Sequence, residues 1–231
     1  MLNDKDKNKK IAAEEAVGYI RDGMTIGLGS GSTVNCMLRK LAERIHSEGL
    51  DIVGIPTSLK TERLANELGI PLTDFSKIKK IDLAIDGADE VDQHLHLLKG
   101  GGGSLVREKI VDAMAEHLII IVDHSKLVDH LGSFALPVEI LPFGWNITQK
   151  QIARLGCEIT LRKKENDIFM SDNGNYILDC TFNKITDPKS LHEELKLIVG
   201  VVETGLFVNM ADLVIAGNGE HITKLTPTAE K

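Results

Sequence analysis

The sequence has only three cysteines in 231 residues, Cys36, Cys157 and Cys180. Odd in number, far apart and in no C-x-x-C pattern, they argue against a disulfide framework and a zinc site, and for a reducing compartment. Long apolar runs are missing too. No segment approaches the roughly 18 apolar residues of a membrane span, and the opening MLNDKDKNKK is charged with no apolar core behind it, unlike a secretory leader. The reading is a cytoplasmic protein with no membrane partner. Positive charge is also short: Lys and Arg number 27 against 34 Asp and Glu, a net charge of -7. That balance argues against a broad electropositive face for nucleic acid. His94, His96 and His124 have no supporting ligand pattern, so no metal is expected.

What is present is a patterned α/β chain. Val34, Met37, Leu38, Leu41 and Ile45 form one helical stripe, with Ser32 or Thr33 as the expected N-cap. Short apolar runs alternate with such helices as far as about Leu131, at residues 24–28, 51–55, 81–85 and 117–122. This alternation predicts a doubly wound, Rossmann-like parallel sheet with helices on both faces. Beyond Leu131 the segments lengthen and are broken by Pro, Gly and Asn-Gly, and Asp172-Asn173-Gly174-Asn175 reads as a hairpin turn. Residues 212–216 then return as a buried strand. The expected organisation is a Rossmann-like domain of 1–131 plus 204–231, interrupted by a smaller α+β (ferredoxin-like) domain at 132–203.

An acidic protein binds an anion locally, with oriented N–H groups and a few placed cations. Gly27-Leu28-Gly29-Ser30-Gly31-Ser32-Thr33 stands at a strand-to-helix turn, where first-turn N–H groups and hydroxyls suit a phosphate. The dinucleotide fingerprint would need glycine at Ser32 and an acid closing the second strand, and Asp51 opens that strand instead. No Lys-Ser/Thr follows the glycines, so a Walker A loop is also disfavoured. A plain tight turn stays open. Four acids, in Asp86-Gly87-Ala88-Asp89-Glu90-Val91-Asp92, follow a buried strand and so point to the ligand end of a parallel sheet. A solvated acidic turn or a divalent-cation site is the alternative there.

Lys99-Gly100-Gly101-Gly102-Gly103-Ser104 makes sense if bare N–H groups line an oxyanion site beside a cation. A flexible linker is the alternative. In the helix that follows, Val106, Ile110, Ala113 and His117 make the inward stripe, and periodicity alone turns Glu108 to solvent. Asp123-His124-Ser125-Lys126 again follows a buried strand, and Lys126 is placed to hold a phosphate as a point charge.

Taken together, GLGSGST, IPTS, DGADEVD, KGGGGSLVREK and DHSKLV, with the later LPVEILPFG and GLFVNMADLVI, resemble the ribose-5-phosphate isomerase type A family over nearly the whole chain. Ser104 stands where alanine is common in that family, and His124 at a variable position. The resemblance implies cofactor-free interconversion of D-ribose 5-phosphate and D-ribulose 5-phosphate by a homodimer or homotetramer. It places the proton acceptor on Glu108, with Asp86, Asp89 and Lys99 as further catalytic groups. Sugar-phosphate contacts fall on Ser30, Gly31, Ser32, Thr33, Asp86, Gly87, Ala88, Asp89, Lys99, Gly100, Gly101, Gly102 and Lys126. Lys9 matches a lysine that approaches the phosphate in relatives.

The rival from another class is a sugar-phosphate sensor of the kind used by transcriptional regulators. Such a module could dispense with Lys99 and Glu108, both kept here, and no basic helix-turn-helix segment is appended. A nicotinamide oxidoreductase ranks third. Dialysis against a chelator is expected to leave the rate of isomerisation unchanged; activity lost and restored by Mg²⁺ or Zn²⁺ would move DGADEVD to a metal site.

Overall fold

The computed structural model describes residues 4–227. Its contacts group the chain into two compact units. One takes the residues up to Ala88, Arg107–Leu127 and those from Met210 onward; the other takes Asp89–Val106 and Val128–Asn209. The sequence-based division at 131/132 and 203/204 stands as a proposal about chain insertion, and residues 1–3 and 228–231 lie outside the described residues. Among the described residues no helix is long and apolar enough to cross a membrane.

The first unit is built on a six-stranded sheet in the order His221–Leu225, Leu213–Asn218, Leu118–Asp123, Leu83–Asp86, Thr25–Leu28, Val53–Pro56. All pairings are parallel except that of His221–Leu225, an antiparallel edge strand with no counterpart in the sequence reading. The inner strands Thr25–Leu28, Leu83–Asp86 and Leu118–Asp123 are short and largely buried, as a parallel sheet covered on both faces requires. The expected strand at 71–73 is reduced to a single bridge from Leu72 to Gly54. The helix Ser32–Glu48 buries Val34, Met37, Leu38 and Leu41 and stops at Gly49, whose φ of 70° is the left-handed conformation that glycine adopts without strain. Helix Asp4–Val17 adds Ala12, Ala13, Ala16 and Val17 to the same core. Lys224 of the edge strand pairs with Glu15 of that helix at 2.6 Å.

The second unit carries a four-stranded antiparallel sheet in the order Val201–Thr204, Leu136–Ile140, Tyr176–Thr181, Glu158–Leu161. Helices Trp145–Ala153 and Pro188–Lys196 fall between its strands in the chain, giving the β-α-β-β-α-β sequence of a ferredoxin-like unit. Leu136, Val138, Ile140, Leu178 and Cys180 alternate into a core with Ile152 and Leu195. Pro137, Glu139, Ile177 and Asp179 therefore occupy the other face. Three short strands, Glu90–Val91, Leu97–Leu98 and Leu206–Phe207, form a further sheet in this unit.

The chain reverses at Asn173-Gly174 as expected, Gly174 N–H donating to the Ser171 carbonyl and Ser171 N–H to the Asn175 carbonyl, both at 2.9 Å, but the paired strands of a hairpin lie elsewhere. Lys163–Lys164 pairs with Asp167–Ile168 around Glu165, which takes a positive φ of 57°. The Asp172–Asn175 turn is instead fastened to the buried Glu139 carboxylate. Its Oε1 accepts from Ser171 Oγ at 2.8 Å, Asn175 Nδ2 at 2.8 Å and Asn173 Nδ2 at 3.3 Å.

Asp82 ties the start of one strand to another: its Oδ2 accepts the Thr25 N–H at 2.8 Å and its Oδ1 meets Lys80 Nζ at 2.8 Å. The Lys80 bond first, then the Thr25 N–H, hold the Asp82 carboxyl below its ordinary range. A carboxylate depressed on folding adds stability that is present above its unfolded value, about 3.9, and is lost as pH falls through the folded value. Asp82→Asn is therefore expected to flatten the fall of the urea midpoint below about pH 4 while lowering the midpoint at pH 7.

Candidate active site

In the first unit the sheet order reverses between Thr25–Leu28 and Leu83–Asp86: the chain leaves the former for a strand on one side, the latter for a strand on the other. The carboxyl ends flanking such a switch point bound the crevice where α/β sheets bind ligands. The glycine-serine loop and the acidic segment begin at these two strand ends. Asp86 is fully buried, and its Oδ1 accepts the N–H of Ser30 at 2.9 Å and of Gly87 at 2.7 Å. A Cβ at Gly29 would collide with the Asp86 carboxyl and stand 2.6 Å from its Cα, so only glycine lets the strand ends approach this closely.

Beneath the loop, the Ser30 hydroxyl joins a hydroxyl cluster. It lies 2.8 Å from Thr57 Oγ1, 2.8 Å from Ser58 Oγ and 3.1 Å from Thr61 Oγ1, and Thr61 donates to the Gly29 carbonyl at 2.8 Å. Thr57, Ser58 and Thr61 are buried.

The helix after the loop starts at Ser32 with Gly31 as N-cap, at φ 114°, and no side chain caps it. This corrects the expectation that Ser32 or Thr33 caps: both lie inside the first turn. Its N–H groups then stay available to an anion, with exposed Gly31 and Ser32 and half-buried Thr33 beside them. On the neighbouring strand, Asp123 accepts from Ser125 N at 3.1 Å and from the Ser125 hydroxyl, shaping the turn that carries half-buried Lys126. Lys9, on the first helix, meets Asp6 at 3.8 Å.

Glu108 corrects the periodicity. It is 5% exposed, in the first turn of helix Leu105–Met114, whereas Ile110 is 55% exposed. The buried residues of this helix are Leu105, Glu108, Val111 and Asp112, and Ala113 and His117 are exposed. The expected inward stripe was thus rotated about the helix axis. Val111 is set by close packing, since a Cβ at Gly27 would stand 2.7 Å from its Cγ1.

In the second unit Asp89 Oδ2 accepts the Gly101 N–H at 2.8 Å. Lys99 is 2% exposed, with its Nζ 5.2 Å from the centroid of the Phe207 ring, and its backbone N–H donates to Gly205 at 2.8 Å. The glycine run is a folded turn: Gly103 N–H donates to the Gly100 carbonyl at 3.0 Å, and both residues take positive φ, 101° at Gly100 and 84° at Gly103. Gly101 and Gly102 are exposed.

The remaining acids of the segment have other work. Glu90 accepts from Gly132 N at 2.7 Å and Phe134 N at 2.6 Å, and Asp92 Oδ1 from His94 N and His96 N, both at 2.9 Å. Among the described residues no three His, Cys, Asp or Glu side chains group as a metal site.

In the first unit an uncapped helix start and a buried glutamate suit chemistry on an anion. The sequence profile of ribose 5-phosphate isomerase A (phosphoriboisomerase A) matches residues 53–221. The chain belongs to the ribose 5-phosphate isomerase A family. It is 57% identical over 214 residues to ribose-5-phosphate isomerase A 2 of Oceanobacillus iheyensis, covering 92% of this chain and 96% of that one. To ribose-5-phosphate isomerase A of Bacillus mycoides it is 56% identical over 215 residues, 93% and 97% of the two chains. A D-ribose-5-phosphate isomerase solved in complex with phospho-erythronic acid superposes with a TM-score of 0.92 at 41% identity, covering 94% of this chain and 97% of that one. The enzyme from Plasmodium falciparum gives 0.91 at 43% identity, covering 96% and 98%.

Within this isomerase fold, sequence reasoning passed over Thr57, Ser58 and Thr61 as site-forming residues. Their signal was a hydroxyl cluster directly after a strand whose end lies beside the glycine-serine loop. Gly29→Ala is expected to lower the stability of the folded protein by about 1–3 kcal/mol, the usual range for overpacking, and to weaken binding of inorganic phosphate. Denaturant melts and phosphate titration read both effects.

Proposed function

We propose that the chain interconverts D-ribose 5-phosphate and D-ribulose 5-phosphate, in the non-oxidative branch of the pentose phosphate pathway, through an enediolate with Glu108 as the base. The isomerase activity is that of the family to which the chain belongs. Binding of phospho-erythronic acid by a solved relative supports a phosphorylated sugar as the ligand. The observation that carries the role of Glu108 is its burial: a glutamate 5% exposed on a helix of ten residues is out of place unless it is structural or chemical.

The reaction removes the C2 proton of the open-chain aldose, passes through an enediolate and returns a proton to C1. Glu108 accepts the C2 proton. Lys99 and the N–H groups of Gly100, Gly101 and Gly102 stabilise the negative charge that develops on oxygen. Asp86 shuttles a proton between O1 and O2, and Asp89 orients the sugar hydroxyls or assists ring opening. Ser30, Gly31, Ser32, Thr33 and Lys126 hold the phosphate, with Gly87 and Ala88 beside the sugar. No electron leaves or enters the substrate overall, so the scheme calls for no redox cofactor. On the same family grounds the assembly is a homodimer or homotetramer.

Glu108→Gln keeps shape and reach but cannot take a proton. It is expected to lower kcat by about 10²–10⁴-fold, the range for loss of a general base, with substrate binding and folding largely intact. Exchange of the C2 proton into deuterated solvent should fall with it. Near-normal turnover or undiminished exchange would return Glu108 to a structural role and send the search for the base to the aspartates.

A further inference from the structure

We propose that Arg162, held by Asp179, is a positioning residue that aims the Gly101–Gly102 peptide so that the Gly102 N–H meets the oxyanion of the reaction; this rests on the reading of the glycine run as the oxyanion site. All the residues concerned lie in the second unit. Arg162 Nη1 donates to the Gly100 carbonyl at 2.9 Å and to the Gly101 carbonyl at 3.2 Å. The rest of the guanidinium is occupied by Asp179, through Nε to Oδ2 at 2.9 Å and through Nη2 to Oδ1. A planar fork that pairs bidentately with a carboxylate and keeps a further donor for a carbonyl is a geometry lysine lacks.

The peptide group is planar and trans, so its C=O and N–H point in opposite directions. The Gly100–Gly101 peptide is therefore gripped at both ends, its carbonyl by Arg162 and its N–H by Asp89. For the next peptide, among the described residues, the carbonyl alone is taken, and fixing it toward Arg162 turns the Gly102 N–H the other way. Nothing lies within 4 Å of where a Cβ of Gly102 would stand, and Gly102 is exposed. A charged donor on the carbonyl also polarises the peptide and strengthens its N–H as a donor.

The support beneath is equally specific. A Cβ at Gly103 would collide with the Phe169 ring, and the same ring has the Arg162 guanidinium carbon 5.8 Å from its centroid. Phe169 leads into the turn that Glu139 fastens, and its N–H donates to the Arg162 carbonyl at 3.0 Å. Four consecutive glycines are costly to order in a single conformation; the arginine and its supports supply the order that the glycines lack.

The test compares Arg162→Lys, Arg162→Ala and Asp179→Asn with Lys99→Ala and the unaltered protein, each checked for a cooperative thermal melt. In the Arg162 and Asp179 variants kcat is expected to fall about 10- to 100-fold, the scale of a group misplaced by an ångström, with KM within a few-fold. Phospho-erythronic acid should bind correspondingly more weakly, and inorganic phosphate as before. Guanidinium ion at millimolar concentration should restore part of the kcat of Arg162→Ala. Unchanged kcat in a folded Arg162→Lys and Asp179→Asn, while Lys99→Ala loses turnover, overturns the positioning role and leaves the oxyanion reading standing. Unchanged kcat in Lys99→Ala as well removes both. A parallel loss of phosphate binding shows that the fork serves the fold at large and also overturns the proposal. Should Arg162→Ala fail to fold, the two conservative variants decide.

Discussion

A carboxylate taken wholly out of water governs the crevice end of the first unit. Burying a carboxyl group costs free energy unless hydrogen-bond donors replace the lost water, and at Asp86 two backbone N–H groups, from Ser30 and Gly87, meet Oδ1. That requirement propagates. The donors reach Oδ1 only if residue 29 has no side chain, and the loop then leaves the strand in a shape that makes Gly31 the first residue before the helix. The helix begins with no capping side chain because glycine stands where a cap would be, and an open first turn is what an anion needs. One buried carboxyl thus couples sheet register, loop conformation and an unfilled helix terminus.

The second unit solves a different problem with the two faces of one sheet. One face packs Leu136, Val138, Leu178 and Cys180 against two helices. The other presents Glu139 and Asp179, each engaged with a loop: Glu139 with the turn around Asn173, and Asp179 through Arg162 with the glycine run. A rigid antiparallel sheet is a better mount for four glycines than any loop of their own, and the strict alternation of side chains along a strand lets it hold a core and a turn at once.

These differences set what was legible. The parallel sheet, the glycine-serine turn at its strand end and the ferredoxin-like unit were readable because each rests on local chemistry: glycine where a Cβ does not fit, short apolar runs, alternating residues. Periodicity alone misplaced Glu108 because its helix has apolar residues on more than one side. Ile110 completes a plausible stripe with Val106 and Ala113, yet the buried face is chosen by tertiary packing such as that of Val111 near Gly27. The turn at Asn173-Gly174 was legible, but not that a distant buried acid holds it in place of flanking strands. Arg162 carried no local signal at all; it reads as one basic residue beside Lys163 and Lys164, and its partner Asp179 is 17 residues away.

The edges of the six-stranded sheet have a consequence for the protein in a crowded solution. An edge strand is a template for another backbone, and long flat edges invite open-ended stacking into fibres. Here one edge ends in Pro56, which has no N–H to offer, and is partly occupied by the bridge to Leu72. The other is a five-residue, largely exposed strand carrying Lys224, itself tethered to Glu15. Neither presents a long unbroken ladder, so open-ended growth by strand addition at this sheet is disfavoured.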